Sequence, residues 1–358
     1  MSKPNLHEDP VIEGFRGLAA LLVLATHYAH LITDPGEDWG FASTGVDLFF
    51  VLSGFVFAPY LAGKILYYPA HLVRRVLRLY PLYLCALALY VALKPAETAF
   101  DHVASHLTMT HTLQSLEIAS FYNPAFWSLP PEMEFYIALP ALVFAAQYVG
   151  IFGLVLAAIL GKLALVALAD PMATGLTYRA IAMVHLPGLL AEFMLGCAAY
   201  RLSQEVSIRQ RGVLLCLAIL GLLAAFHLFA HFINAGQASV GSLHFWVAGN
   251  MGLLAAMAYM LLVSGLAGMR IKNHAVLNVF LWAGRLSYGI YLFHNAVGQI
   301  VAQNAPQLHG WAAWIVQLLC TLLLSTLLHM VVEAPARKVG RQLAIRLQNR
   351  TPKISGPN

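Results

Sequence analysis

The segment EGFRGLAALLVLATHYAHL, residues 13–31, decides the fold class of this chain. At ~1.5 Å per residue it is long enough to cross most of the ~30 Å hydrocarbon core of a membrane as a helix. Arg16 lies near one end of the segment, and His27 lies deep inside it. Ionisable side chains at such depth are rare, and they usually face a cavity or a pathway. The segment therefore predicts a membrane-spanning helix with a functional stripe along one face.

The composition of the whole chain is that of an integral membrane protein. Of its 358 residues 60% are hydrophobic and 10% are charged, with a mean hydropathy of +0.71, whereas about 25% of the residues of a soluble domain are charged. We predict an all-α fold, a polytopic membrane helical bundle of about ten transmembrane helices. The predicted spans cover residues 14–33, 43–62, 72–93, 126–148, 150–168, 178–200, 211–233, 243–266, 277–303 and 311–333.

Positive charge alternates between the predicted loops. Lys and Arg concentrate after the second, sixth, eighth and tenth spans, and the alternate loops carry few of them. Because positive loops stay on the cytoplasmic side, we expect both termini there. Residues 1–336 form one predicted transmembrane domain, 337–358 a basic cytoplasmic tail, and 94–125 an outward loop. The N-terminus lacks the features of a cleaved signal peptide, so none is expected to be removed. Membrane lipids are expected partners, and nucleic acid is not.

Arg16 and His27 are eleven residues apart, which is about three helical turns, so both lie on nearly one face, ~16 Å apart along the axis. Asp47 begins the next span and can reach the depth of His27 on an antiparallel neighbour. A carboxylate beside an imidazole fixes its tautomer and raises its basicity, as a general base requires. Helix capping explains Asp47 equally well, and Arg16 can also serve as an anchor at the membrane boundary.

Arg75 and Arg78 lie three residues apart, hence on one helix face, at the start of the third span. Paired guanidinium groups bind phosphate well, and anionic lipid headgroups are the alternative ligand. Glu132 and Glu134 follow Pro-Pro at the start of the fourth span. Being two residues apart, they cannot share one helix face, so one can face a cavity while the other meets water.

Other ionisable residues lie inside spans or at their ends. Glu192 and His294 are inside apolar spans, and Glu333 closes the last span near the level of Arg16, with which it can pair. Two histidine pairs have i, i+4 spacing, at 102/106 and 227/231, but neither has an acidic or cysteine partner at helical spacing. A two-histidine pattern is a weak metal signal, so we expect no metal. The four cysteines lie in apolar segments and indicate buried free thiols.

Seven motifs follow one another along nearly the whole chain. They are Arg16 and His27 with ten residues between them, GVDLFFVLSGF at 45–55, RRVLRLYP at 74–81, WSLPPEMEFY at 127–136, AEFMLG at 191–196, LSYGIYLFH at 286–294 and VEAP at 332–335. Together they resemble the acyltransferase 3 family of multi-pass membrane acyltransferases. One departure is WSLPPE, where relatives more often have WSLSVE.

The resemblance implies transfer of an acyl group, commonly acetyl from acetyl-CoA, to hydroxyls of extracytoplasmic glycans such as O-antigen, capsule, exopolysaccharide or a lipid-linked saccharide. It places the protein in a bacterial inner membrane. It implies that Arg16 and His27 are the essential pair and that Arg75 and Arg78 belong to a cytoplasmic coenzyme-binding region. The supporting candidates are Glu132, Glu134, Glu192, Ser287, Tyr288, His294 and Glu333.

Two other function classes compete with this interpretation. In a proton-coupled transporter, His27, Glu192 and His294 would form a proton pathway, as intramembrane ionisable groups often do. The sequence shows no inverted repeat, which many transporters have. A scaffold or sensor without chemistry would leave the cost of the buried ionisable groups unexplained. Within the acyltransferase hypothesis, His27 can act as a general base or be acetylated itself.

Overall fold

The computed structural model describes residues 9–32, 38–169, 178–233 and 243–350, without the side chains of Asp38, Arg179, Ala180 and Arg350. Within these ranges the chain is helical and has no strand, which confirms the predicted all-α fold. The α-helices are α1 (Pro10–Tyr28), α2 (Gly45–Leu61), α3 (Tyr68–Leu93), α4 (Val103–Leu107), α5 (Leu116–Ala119), α6 (Leu129–Leu168), α7 (Tyr178–Val184), α8 (Leu186–Glu205), α9 (Ile208–Leu228), α10 (Leu243–Leu266), α11 (His274–Asn304), α12 (Gly310–Leu328) and α13 (Ala334–Arg350).

Nine helical stretches of the described residues are long and apolar enough to cross a membrane. One of them contains α6, whose 40 residues would reach ~60 Å, twice the thickness of a hydrocarbon core. Gly150 has a non-helical backbone there, with φ 69° and ψ 174°, a conformation that glycine adopts readily. It divides α6 into 129–149 and 151–168. These halves match the fourth and fifth predicted spans. The sixth predicted span, 178–200, is instead divided into α7 and α8 at His185, whose backbone is extended.

The start of α1 is fixed by Asp9, which precedes Pro10. One carboxylate oxygen of Asp9 accepts a hydrogen bond from the backbone N–H of Val11 at 2.9 Å, and the other accepts one from Gly268 at 2.7 Å. The carboxylate therefore caps α1, as an acidic residue at a helix N-terminus does. It also ties that end to the turn between α10 and α11.

α1 packs along α11 through small residues. A side chain added at Gly17 would overlap Ala283, and one added at Gly284 would overlap Glu13. Small residues let two membrane helices approach closely enough for backbone contact. This contact fixes the rotation of α1 and therefore the direction in which Arg16 points.

The predicted outward loop does not lie free outside the bundle. His106 and His111 are fully buried, and their rings stack at 4.1 Å between centroids. The hydroxyl of Tyr83, midway along α3, donates to the carbonyl of His106 at 2.9 Å, and Asn123 donates to the carbonyl of Leu292 at 3.2 Å. The segment folds back because its polar groups find partners inside the bundle, as buried backbone requires.

The end of the last span continues as one helical stretch. A π-helical turn, His329–Glu333, joins α12 to α13, so the helix runs past the predicted boundary at 336 to residue 350. Gly340 of α13 lies against Leu77 of α3. The described part of the predicted basic tail is therefore a helix packed on α3.

α2 and α8 make their closest contact at two glycines. A Cβ on Gly54 would overlap the carbonyl oxygen of Phe193, and a Cβ on Gly196 would overlap that of Val51. The two backbones thus touch without side chains between them, as in other small-residue crossings of membrane helices. This contact holds α2, which carries Asp47 and Ser53, against α8.

Gly54→Ala places a methyl group where the carbonyl oxygen of Phe193 lies. The helices must separate, so the free energy of unfolding should fall by ~1–3 kcal/mol, the usual cost of overpacking. Gly161→Ala is the matched control, because a Cβ there meets nothing within 4 Å and alanine favours helix over glycine. Thermal unfolding in detergent measures both. Unchanged stability in Gly54→Ala would contradict the close contact.

Candidate active site

A cavity inside the bundle is lined by three arginines, and we call it the arginine cavity. It encloses about 690 Å³ of space not filled by protein atoms, its opening included. Its charged lining residues are Arg16, Arg75, Arg78 and Glu132. α1, α3 and α6 supply these residues, and the phosphate-binding candidates of the sequence therefore meet in one place.

Arg16 is held by an ion pair within its own helix. Its Nη1 lies 2.5 Å from Oε1 of Glu13, and the two side chains are 12% and 17% exposed. The expected pairing of Arg16 with Glu333 is therefore wrong. Glu333 instead lies 2.9 Å from His329 and 3.5 Å from Arg337, both one turn away. Each carboxylate takes the cation nearest on its own helix, because i, i+3 and i, i+4 neighbours meet on a helix surface.

Arg75 lies between aromatic rings. Its guanidinium carbon is 4.6 Å from the ring centroid of Phe57 and 5.7 Å from that of Tyr136. Aromatic faces attract cations and partly replace lost water. Among the described residues no group accepts a hydrogen bond from its buried Nε. Ring packing thus positions the guanidinium group of Arg75, and its Nε–H group has no hydrogen-bond acceptor among the described residues.

Polar groups of α6 and α11 complete the arginine cavity. The hydroxyl of Tyr136 donates a short hydrogen bond to Glu132, and Ser53 lies 3.4 Å from the same carboxylate. Tyr288 donates to the carbonyl of Leu79 at 3.0 Å, and Ser287 donates to a carbonyl of its own helix at 2.8 Å. Glu132, Ser287 and Tyr288, all supporting candidates from the sequence, line this cavity.

A second cavity, which we call the histidine cavity, lies along the same helix. Its lining includes Thr26, His27, Ser43, Asp47 and Trp127. His27 is partly exposed to it. Arg16 and His27, predicted to share a face of α1, thus stand in the walls of two different cavities.

Asp47 shares the histidine cavity with His27 without touching it. Among the described residues no ion pair within 4.0 Å joins the two side chains. The carboxylate of Asp47 instead lies close to Gly252 of α10, where an added Cβ would be 2.4 Å from Oδ1. A role for Asp47 in orienting His27 stays a prediction.

The ring packed against His27 is that of His294. The ring centroids are 4.9 Å apart, with 43° between the planes. His294 is fully buried, its Nδ1 lies 3.0 Å from the carbonyl of Ile290, and its Nε2 has no partner among the described residues. Tyr28 donates to the carbonyl of His294 at 2.6 Å. The packing of α1 on α11 therefore forms a histidine pair inside the bundle.

The remaining acidic candidates lie elsewhere. Glu134 accepts hydrogen bonds from Nδ1 of His185 at 2.8 Å and from the backbone N–H of Leu186 at 2.7 Å, so it caps α8. Glu192 is fully buried, and neither of its oxygens has a hydrogen-bond partner among the described residues. It interacts electrostatically with Lys162 and Asp47. Of the three residues in the transporter hypothesis, the structure therefore pairs only the histidines.

Two tyrosines of the site were not predicted from the sequence. Tyr136 binds Glu132 from one turn away, and Tyr291 lines both cavities. Both lie in motifs that carry the family resemblance. Their place in these motifs was the only sign in the sequence that they could belong to the site. Tyrosines in apolar spans are common, and nothing in the sequence shows which of them faces a cavity.

Three comparisons with known proteins give the family and little else. A family model described as an acyltransferase domain matches residues 9–332. "Protein 2 in picA locus" of Rhizobium radiobacter is 42% identical over 87 residues, which is 23% of this chain. The match covers 44% of that protein, so this chain spans less than half of its length. No solved structure matches the chain.

The stacked histidines of the segment between α3 and α6, His106 and His111, give a pH prediction. Burial lowers the pKa of His106 from 6.5 to about 4, and burial also lowers the pKa of His111. A histidine with a lower pKa when folded binds protons mainly in the unfolded chain, so acid destabilises the fold. The stability from neutral His106 is present above pH 6.5 and is lost as the pH falls towards about 4.

His106→Phe keeps an aromatic ring and removes the titration, so its melting temperature should fall less steeply between pH 6.5 and 4.5 than that of the wild type. Melting curves at a series of pH values test this. His274→Phe, at an exposed position, is the control and should keep the wild-type slope. Parallel pH profiles for the wild type and His106→Phe would contradict the argument.

Proposed function

This chain belongs to the acyltransferase 3 family, and we propose that it is a membrane O-acyltransferase. The proposed reaction moves an acetyl group from acetyl-CoA to a hydroxyl of a cell-surface or lipid-linked glycan. The supporting observation is that Arg16 and His27 stand on one helix in the walls of two cavities. One cavity offers cations for the donor, and the other offers a base near polar groups for the acceptor.

The arginine cavity suits the phosphates of coenzyme A. Arg16, Arg75 and Arg78 bring three guanidinium groups together, and the carboxylates of Glu13 and Glu132 offset two of these charges. A positive charge remains, and guanidinium groups bind phosphate through charge-assisted, often bidentate hydrogen bonds. With the N-terminus on the cytoplasmic side, as the loop charges predict, the phosphates bind on that side and the pantetheine arm extends towards His27.

In the chemical step, His27 takes the proton of the acceptor hydroxyl as the hydroxyl oxygen attacks the thioester carbonyl carbon. The acyl–oxygen bond forms, the carbon–sulfur bond breaks, and the coenzyme thiolate takes the proton from His27. General-base catalysis of this kind contributes about 10²–10⁴-fold. Arg16 stabilises the donor electrostatically, and the ring of His294 holds His27 in position.

A covalent relay is the alternative route through the same residues. The imidazole of His27 attacks the thioester carbonyl carbon, and coenzyme A leaves as the thiol with the proton that the imidazole releases. The acceptor hydroxyl oxygen then attacks the acetyl carbonyl carbon, the carbon–nitrogen bond breaks, and the imidazole of His27 takes the hydroxyl proton. Both routes consume and release the same molecules, so protein-bound acetyl distinguishes them.

The histidine cavity suits a sugar hydroxyl. Thr26, Ser43 and Asp47 bring oxygen atoms to its wall, and Trp127 brings an aromatic ring. Binding sites for small polar molecules combine a few such polar groups with apolar and aromatic walls. Asp47 is proposed to act with His27 through the bound acceptor, since both face the same space.

His27→Ala should reduce acetyl-CoA turnover by at least ~10²-fold, because it removes the proposed base or nucleophile. Purified protein in detergent is incubated with radiolabelled acetyl-CoA without acceptor, and thioester hydrolysis and protein-bound label are measured. His30→Ala is the matched control: this histidine lies on the next turn of the same segment and is exposed. It should keep wild-type turnover.

Substantial turnover by folded His27→Ala would overturn the role of His27. Label that appears on the wild type and not on His27→Ala would favour the covalent relay, whereas hydrolysis without label would favour the general base. Folded wild type that neither binds nor turns over acetyl-CoA would overturn the choice of donor.

Arg75→Ala combined with Arg78→Ala should raise the KM for acetyl-CoA about tenfold or more, since each guanidinium hydrogen bond to a charged group is worth ~1.5–3 kcal/mol. Steady-state kinetics with varied donor measures this. Arg74→Ala is the control, because Arg74 is adjacent in the sequence but does not line the arginine cavity. An unchanged donor KM in the double variant would remove both residues from the donor site.

A further inference from the structure

The arginine cavity and the histidine cavity share part of their walls. Val46 of α2 and Tyr291 of α11 line both cavities. A molecule that extends from Arg16 to the level of His27 must pass these two side chains, because they stand between the spaces. The size of the gap between them therefore limits what can pass.

Two hydrogen bonds hold the hydroxyl of Tyr291 at this boundary. Its hydroxyl lies 2.5 Å from the hydroxyl of Ser128 and 2.7 Å from the carbonyl oxygen of Ala125, to which it donates. Ser128 lines the arginine cavity, and Ala125 lines the histidine cavity. The tyrosine thus bonds to both sides of the boundary through the short helical turn that precedes α6.

Packing also holds the aromatic ring of Tyr291. The side chain is 4% exposed, and its ring meets that of Phe49 edge-on at 5.6 Å between centroids. A buried tyrosine needs a partner for its hydroxyl, and here the partners also fix the ring. The ring of Tyr291 therefore has a defined position between the two cavities, which we call the closed position. Moving the ring out of it breaks two hydrogen bonds.

We propose that Tyr291 is a size-selecting constriction between the two cavities and sets which acyl groups reach His27. The proposal rests on the proposed function for its substrate, an acyl thioester of coenzyme A. The thioester end must pass Tyr291 and Val46 while the phosphates stay at the arginines. A short acyl group passes with a small displacement of the ring, and a longer one must displace it further. No bond of the donor changes in this passage.

Acyl-group preference is the first readout. Tyr291→Ala widens the passage, so the ratio of kcat/KM for hexanoyl-CoA to that for acetyl-CoA should rise at least tenfold. One methylene group more or less in an apolar pocket changes such ratios by about 10–200-fold. Tyr291→Phe keeps the ring and its packing against Phe49 but loses both hydroxyl hydrogen bonds, so its ratio should lie between those of the wild type and Tyr291→Ala. An unchanged ratio in Tyr291→Ala would overturn the selecting role.

Accessibility across the boundary is the second readout and needs no enzyme activity. Ser43→Cys, in the wall of the histidine cavity, is placed in a chain whose four native cysteines are replaced by alanine. Membrane vesicles of both orientations are treated with sulfonatoethyl methanethiosulfonate, an anionic thiol reagent that does not cross membranes. Mass spectrometry gives the labelling rate from each side, and labelling from the histidine-cavity side shows that the reporter is reactive.

With Tyr291 present, labelling from the arginine-cavity side should be slow. A minor open state is typically populated at ~0.1–10%, so Tyr291→Ala should accelerate it about tenfold or more. Val46→Ala is a second opening variant in case Tyr291→Ala does not fold. Tyr291→Phe, which keeps the ring and loses both hydrogen bonds, should label at a rate between those of the wild type and Tyr291→Ala. The constriction would be overturned by fast labelling from the arginine-cavity side when Val46 and Tyr291 are both unchanged. Slow labelling of both opening variants would overturn it as well. Failure of acetyl-CoA turnover would refute the proposed function and leave this measurement unaffected.

Discussion

A membrane interior cannot solvate a charge or an unpaired peptide group, and the arrangement of this protein follows from that constraint. The described backbone satisfies its own hydrogen bonds as helices, and even the segment between α3 and α6 does so by folding into the bundle. Two arginines obey the same constraint. Arg16 forms an ion pair with Glu13 on its own helix, and Arg75 lies between the rings of Phe57 and Tyr136. Each of these guanidinium groups therefore has a neighbour that partly replaces water.

The arginine cavity shows how such groups become a site. Three guanidinium groups repel one another, and in an apolar surrounding their assembly costs free energy unless carboxylates or a bound anion offset it. Glu132 is held by Tyr136 and reaches only part of that charge. The cavity therefore suits an anion that brings several negative oxygens at once, which is the property on which the proposed donor site rests.

The position of α1 links this charge to the histidine pair. Close packing on α11, through Gly17 and Gly284, sets the rotation of α1 and brings His27 against His294. The same two helices carry groups of both cavities, because α11 also contributes Tyr291 to their common wall. The relative position of the two cavities thus depends on this helix interface. A change at that interface alters both cavities together.

The sequence alone determined the helical membrane fold, most of its long apolar helices and the alignment of Arg16 with His27, because hydrophobic length and helical period are local properties. It predicted the wrong partner for Arg16. It could not give the fold of residues 94–123, the contact between His27 and His294, or the boundary at Tyr291. Those depend on which faces of distant helices meet, and in a membrane small residues and hydrogen bonds decide that meeting, not hydrophobic pattern. Only the tertiary structure therefore shows two cavities with a shared wall.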